Sequence, residues 1–447
     1  MRPPAASSTP VAALAACVLV NVFLVPVRAQ DVLRLTLEEA QSRAQQASHR
    51  LGELQARESA AHAAADVRAA AARPNVALMA GYTRTNHVDE FVVPAPGTTT
   101  PRVLYPDVPD NWRTRIDLQW PIYTGGRTDA LERAARAEAA ALGADLAAAR
   151  ADLRLEVARA FWALVTARSS VAVLERAVER ANTHVEDVVQ RLKAGLIPPN
   201  EVASAQAQSS RERMLLIEAA NQRDLASSDL ARLIGENVLR PIEPVETLDA
   251  PVATRAPTEA LVADAQAARS ERQALERRID AAEERRIAAA AGRLPVIAVG
   301  GGFDYARPNP RIFPRADRWD DSWDAGINVT WSLWDGGRAI AEVAEAAAGV
   351  LAVRQRLEEF DTVLALELRQ RLLEIESGQA VIAAANDAVR SAEEARRVVA
   401  ERFAAGVVTH TEVLDAQLAL LQAELDRTRA MANVRLAEAR LARAAGR

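Results

Sequence analysis

The chain repeats itself at a fixed displacement. Residues 116–127 read IDLQWPIYTGGR and residues 327–338 read INVTWSLWDGGR, so 327 − 116 = 211. The segments RLKAGLIPPNEVASAQ (191–206) and RFAAGVVTHTEVLDAQ (402–417) stand at the same 211-residue displacement. Two separate motifs sharing one offset define a tandem duplication of about 200 residues, far longer than the roughly 20–50-residue periods of solenoids. Such a chain is expected to fold into two similar halves around an axis, each with helical tracts flanking a pair of strands. The division predicted is 1–29 as a leader, 30–240 as the first repeat, 241–257 as a linker and 258–447 as the second repeat.

The composition restricts what the halves are. Aromatics make up only 4% of the 447 residues, and alanine, arginine, glutamate and leucine dominate. That usage, with helical periodicity, points to long helices and coiled coils. From 128 to 194, and again from 339 to 405, no proline occurs. An unbroken helix of that length runs about 100 Å at ~1.5 Å per residue. Leu142, Leu146, Ala149, Leu153, Val157, Phe161 and Leu164 recur at three- and four-residue steps, as in a coiled-coil seam. Each tract reaches a turn, at Gly195 or Gly406, and Pro198-Pro199 enforces the first because proline lacks the helical donor. Each copy therefore makes a helical hairpin.

Four segments break the helical pattern: 75–85 and 112–123, then 296–306 and 322–334. In the second, Ile116, Leu118, Trp120 and Ile122 alternate with polar neighbours; in the fourth, Ile327, Val329, Trp331 and Leu333 do. This period of two gives each strand one apolar face. Gly300-Gly301-Gly302 weakens the pattern in the third. All four tyrosines and six of the seven tryptophans fall in or between these segments. Strands of about ten residues with aromatic rims fit a membrane β-barrel, and Trp120, Tyr123, Trp331 and Trp334 are expected at the lipid or its interface. Four strands are too few to close a barrel, so closure requires other subunits. Gly125-Gly126 and Gly336-Gly337 follow directly as strand-to-helix turns. The stretches 86–111 and 307–321 read as solvent loops.

At the N-terminus, Arg2, the apolar run 11–27 and Val27-Arg28-Ala29 have the form of a secretory leader cleaved after Ala29. The apolar run continues past Cys17, which argues against lipidation there. No later stretch approaches ~18 consecutive apolar residues. Charge is nearly balanced, with 55 basic and 60 acidic residues, so nothing suggests nucleic acid. There is no Walker loop, no HExxH and no Gly-x-Ser-x-Gly. His49, His62, His87, His184 and His410 are scattered rather than set at metal-ligand spacing. Neither an enzyme, a cofactor nor a metal is expected, and His410 reads as an exposed turn residue.

The duplication, the WPIYTGG and WSLWDGG strand exits and the two turn motifs together resemble the TolC-like outer-membrane efflux protein family, over nearly the whole chain from Leu35 to Ala445. The resemblance implies a homotrimer whose three chains give a 12-stranded barrel in the outer membrane and a long α-helical tunnel in the periplasm. It implies that Gly195, Leu196, Gly406 and Val407 form the tip that docks a periplasmic adaptor, and through it an inner-membrane pump. Glu412 and Asp415, with Glu201 in the first copy, match carboxylates that narrow the tunnel mouth. Phe403 matches an aromatic of the tip lock without its hydroxyl, and Val408 stands where some members carry an arginine. The function implied is a passive exit duct for small molecules. The alternatives are the exit channel of a type I protein secretion system, and a periplasmic coiled-coil scaffold with no pore.

Overall fold

The computed structural model describes residues 32–94, 96–97, 101–249 and 258–446, without the side chains of 258 and 259. The leader, Cys17 and most of the carboxyl half of the 241–257 linker lie outside the described residues. The duplication is reproduced element by element. Helix α3 (Arg127–Lys193) and helix α7 (Arg338–Ala404) each hold 67 residues, and α4 (Pro199–Leu233) and α8 (His410–Ala444) each hold 35, all at the 211-residue displacement. Preceding them are α1 (Leu37–Ala47) with α2 (His49–Ala70), and α5 (Thr258–Ala268) with α6 (Ser270–Ala290).

The long helices start where strands end, because the glycine pairs supply left-handed backbone. Gly126 and Gly337 sit at φ +81° and +89° as the capping residues of α3 and α7. The capping side chain comes from two residues earlier. Thr124 Oγ1 accepts the Thr128 N–H at 3.3 Å, and the Asp335 carboxylate accepts from Gly337 and Ala339. Helix α3 packs on α2 and α6 toward the strands and on α4 and α8 toward the turns; α7 packs on α6 and α8. The main core lies midway along α3, where Leu153, Val157, Phe161 and Leu164 meet α1 and Leu230 of α4. Two short parallel strands, β1 (Leu33–Leu35) and β6 (Ile242–Pro244), close this belt, so the front of the expected linker is docked to the first repeat. One stretch of α3 is long and apolar enough to cross a membrane by length and composition, but 56% of it is buried in the fold. It serves as core, since apolar residues covered by neighbouring helices have no lipid to meet.

The remaining strands are β2 (Asn75–Arg84), β3 (Phe91–Val93), β4 (Arg102–Tyr105), β5 (Asp110–Tyr123), β7 (Val296–Arg307) and β8 (Asp320–Thr330). Strands β2-β5-β7-β8 form one antiparallel sheet in that order. Strands β3 and β4 pair within the 86–111 stretch expected to be loop. The three glycines do not interrupt β7. A Cβ on Gly301 would meet the Asp324 carbonyl at 2.9 Å, and one on Gly302 would overlap the Arg115 guanidinium. Glycine there makes room for a close strand and an inward arginine.

Two details of the strands differ from expectation. Strand β8 ends at Thr330, opposite Val296, the first residue of its partner, so Trp331–Trp334 have no strand to pair with. Strand β5 bulges between Pro121 and Tyr123, and the shift pairs Tyr123 with Ile297. That extra residue carries Tyr123 onto the face that holds Trp120, where strict alternation excludes it.

Candidate functional site

The sheet has two chemically distinct faces. Directly opposed residues share a face, so the register places Val76, Leu118, Gly301 and Ala325 in one row and Leu78, Ile116, Phe303 and Trp323 in the next, all on the apolar side. The other side carries Arg115 and Asp304 in one row, with Asp117 and Asp324 in the adjacent one. There Arg115 binds Asp304, Asp117 at 2.7 Å and Asp324 at 3.0 Å, while Arg113 binds Asp304 at 2.6 Å. Apolar residues facing outward and ion pairs facing inward are what a membrane barrel wall requires.

Aromatic rings mark both ends of that wall. At the loop end, Tyr82 packs on Trp112 at 4.5 Å and Tyr305 stacks on Trp319 at 5.0 Å. At the helix end stand Trp120, Tyr123, Trp331 and Trp334, all exposed. Trp112 and Trp120 are 120 − 112 = 8 residues apart, about 26 Å along a strand at ~3.3 Å per residue. Trp120 and Trp331 hold equivalent posts, each indole N–H donating to a carbonyl just beyond the preceding helix: Ala72 at 3.2 Å and Arg293 at 3.1 Å.

At the far end, both hairpin turns are Schellman motifs. In the first, Gly195 N–H donates to Leu192 and Leu196 N–H to Arg191; in the second, Gly406 N–H donates to Phe403 and Val407 N–H to Arg402. Gly195 and Gly406 adopt φ +73° and +74°, and nothing stands within 4 Å of where their Cβ would be. Leu196 and Val407 project outward, 70% and 64% exposed. The next residue of each turn, Ile197 or Val408, folds back onto Val188, Ala205, Phe403 and Val413.

The acids follow at once. Glu412 accepts from the Thr409 backbone N–H and hydroxyl, both at 3.2 Å, and so caps α8. Asp415 lies one turn on along the same exposed face. Glu201 holds the equivalent post on α4 and is half-buried.

Phe403 is buried between the hairpins, under the Arg191 guanidinium at 4.5 Å and edge-on to His184 at 5.5 Å. One expectation is corrected here: His410 is no exposed turn residue but is buried, its Nδ1 2.9 Å from His184 Nε2 and the rings parallel at 4.9 Å. The reason is position in the helix. As the first residue of α8, His410 faces back toward α3, on the side of Val413 and away from Glu412. Burial pushes the His184 imidazole down to about 4, with His410 adding to it, and burial lowers His410 as well. Among the described residues no three His, Cys, Asp or Glu are grouped to hold a metal ion.

A barrel segment joined to ~100 Å helices that end in two turns defines one class of protein, the subunit of an outer-membrane channel with a periplasmic helical extension. A model of the outer membrane efflux protein family matches residues 40–236 and 261–447. The chain belongs to that family, whose members are channels of the outer membrane. It is 25% identical over 284 residues to outer membrane protein TolC of Vibrio cholerae. That alignment covers 62% of the chain and 64% of TolC, less than two thirds of the relative's length. The fold matches that of VceC from Vibrio cholerae, with a TM-score of 0.76, 22% identity and 92% and 96% of the two chains covered. It also matches the open state of the MtrE outer membrane channel of Neisseria gonorrhoeae, at 0.75, 18%, 92% and 88%.

Proposed function

We propose that three copies of this chain form the exit duct of a tripartite efflux system, a passive, water-filled path for small molecules across the periplasm and outer membrane. The observation that carries this is the sheet. Strands β2 and β8 are its two edges, each with one side unpaired among the described residues. Open edges in a membrane are untenable, because lipid cannot satisfy backbone polar groups. Pairing β8 of one copy with β2 of the next removes every edge and gives twelve strands from three chains. The polar face, with Arg115 and Asp304, then lines the lumen, and the helices continue the tube. Leu196 and Val407, beside Gly195 and Gly406, present the contact for a periplasmic adaptor, which links the duct to an inner-membrane pump. The pump supplies the energy; this chain supplies the path. Native mass measurement on protein extracted from outer membranes in detergent tests the assembly. Three chains per particle are expected, and a monomer or a dimer contradicts closure.

A further inference from the structure

The stretch 308–319, expected to be a solvent loop, instead folds over the polar face of the sheet. Asn309 is 2% exposed, and its side-chain amide donates to the Asp320 carbonyl and to Ser322 Oγ, both at 3.0 Å. Ser322 is opposite Asp304 and so on the inward side. Arg311 bonds the Trp323 carbonyl at 2.7 Å and pairs with Asp324 at 3.2 Å. Arg315 reaches β5, donating to Asn111 Oδ1 at 2.7 Å, and its backbone N–H donates to Leu104. Three pinned residues thus hold the loop against the wall and leave a cavity of about 360 Å³ beneath it. Met79, Gly81, Ala306, Pro308 and Pro310 supply much of its lining, together with Arg113, Arg115 and Arg315. That volume suits a small organic molecule.

The charges decide which kind. Arg113 and Arg115 are neutralised by Asp304, Asp117 and Asp324. Arg315 is not. Its guanidinium donates to the neutral oxygens of Tyr105 and Asn111 and lies over the Tyr105 ring at 5.1 Å. Its Nε is buried with no partner, and among the described residues no carboxylate pairs with it. A cation held only by neutral groups beside apolar walls attracts an anion, and a planar guanidinium suits carboxylate or phosphate.

We propose that this cavity at the outer end of each barrel wall binds a small organic anion, with an apolar body and a carboxylate or phosphate group, and that Arg315 receives its charge. With three copies the duct carries three such sites around its outer mouth, which rests on the duct reading above; the cavity itself lies within one chain. A cargo acid pausing there meets a last selective contact before release.

Calorimetric titration of the detergent-solubilised protein with 2-naphthoate tests the proposal, with 2-naphthamide as the neutral counterpart. Saturable binding at one site per chain is expected for the acid and not for the amide. Arg315→Gln should weaken it by about tenfold or more, the worth of one charge-assisted contact. Arg315→Lys should restore it in part, and Arg102→Gln, an exposed arginine outside the cavity, should leave it unchanged. Absence of binding in the parent, equal binding of the amide, or full affinity in Arg315→Gln overturns the proposal. The titration needs no pore. Lost binding with conductance intact refutes the cavity alone, and binding without any conductance refutes the duct alone.

Discussion

His184 Nε2 on α3 lies 2.9 Å from His410 Nδ1 on α8, inside the contact between the two hairpins. Around this pair stand Asp187 and Arg191 of α3, Glu201 of α4 and Phe403 of α7. Two imidazoles can share one hydrogen bond while neutral; with both protonated, neither nitrogen has a lone pair to accept it.

The pair makes tip stability fall with acidity. Burial lowers the His184 pKa from 6.5 to about 4. The unfolded tip therefore takes up a proton below pH 6.5 that the packed tip refuses. The contribution is full above pH 6.5 and is withdrawn as pH falls toward 4, to a total on the order of 3 kcal/mol at ~1.4 kcal/mol per unit. Hydrogen exchange at Val188 and Val413 should lose protection across that window in the parent and lose less of it in His184→Leu, where only the lowered His410 imidazole remains. Equal pH dependence in both contradicts this account.

The tip glycines are needed for backbone angle, with no crowding to relieve. A Cβ at Gly195 or Gly406 meets nothing, so Gly406→Ala should cost only roughly 1–2 kcal/mol locally. Gly195→Leu and Gly406→Leu should leave trimer mass and heat stability near normal while abolishing export and adaptor capture. Undiminished export by both leucine variants would remove the docking assignment.

Trp331 and Trp334 should report the membrane boundary. Trp331→Arg places a cation near the interface, where the penalty is about 0–1 kcal/mol, against ~2–4 kcal/mol at the midplane. It also breaks the indole bond to Arg293. A modest loss of heat stability is expected, with a larger loss for Ile327→Arg further into the apolar band. The reverse ranking would put the boundary elsewhere.

In a trimer, three copies each of Glu412 and Asp415 should surround one axis and favour cations, as acidic rings do in other pores. Because Glu412 also caps α8, glutamine is the appropriate replacement, since its carbonyl still accepts from Thr409. Glu412→Gln with Asp415→Asn should abolish cation preference and block by multivalent cations while leaving the helices intact. Unchanged selectivity would make these acids solvated cap residues only.

Much of this architecture was legible because it rests on periodicity. The 211-residue displacement, the proline-free tracts and the alternation around Ile116 and Ile327 each repeat many times, so single exceptions do not hide them. What escaped depends on one residue or one close approach. The bulge that turns Tyr123 outward is a single unpaired position beside Pro121. The end of β8 at Thr330 is set by where β7 begins, which no local pattern of 322–334 encodes. The inward course of 308–319 follows from Asn309 finding Ser322 and Arg315 finding Asn111, both long-range pairings. His184 and His410 are 226 residues apart in sequence, and only the packed hairpins bring them together. The glycine turns were legible down to the residue because only glycine takes φ near +74° without strain.

The most direct test of the duct is single-channel recording in a planar bilayer, comparing the purified parent with Phe403→Ala, which empties the contact between the hairpins. Discrete conductance steps are expected from both, more frequent or larger in Phe403→Ala because its tip holds less firmly. Particles of trimer mass that give no steps in either form would contradict the duct and leave a helical scaffold anchored in the outer membrane.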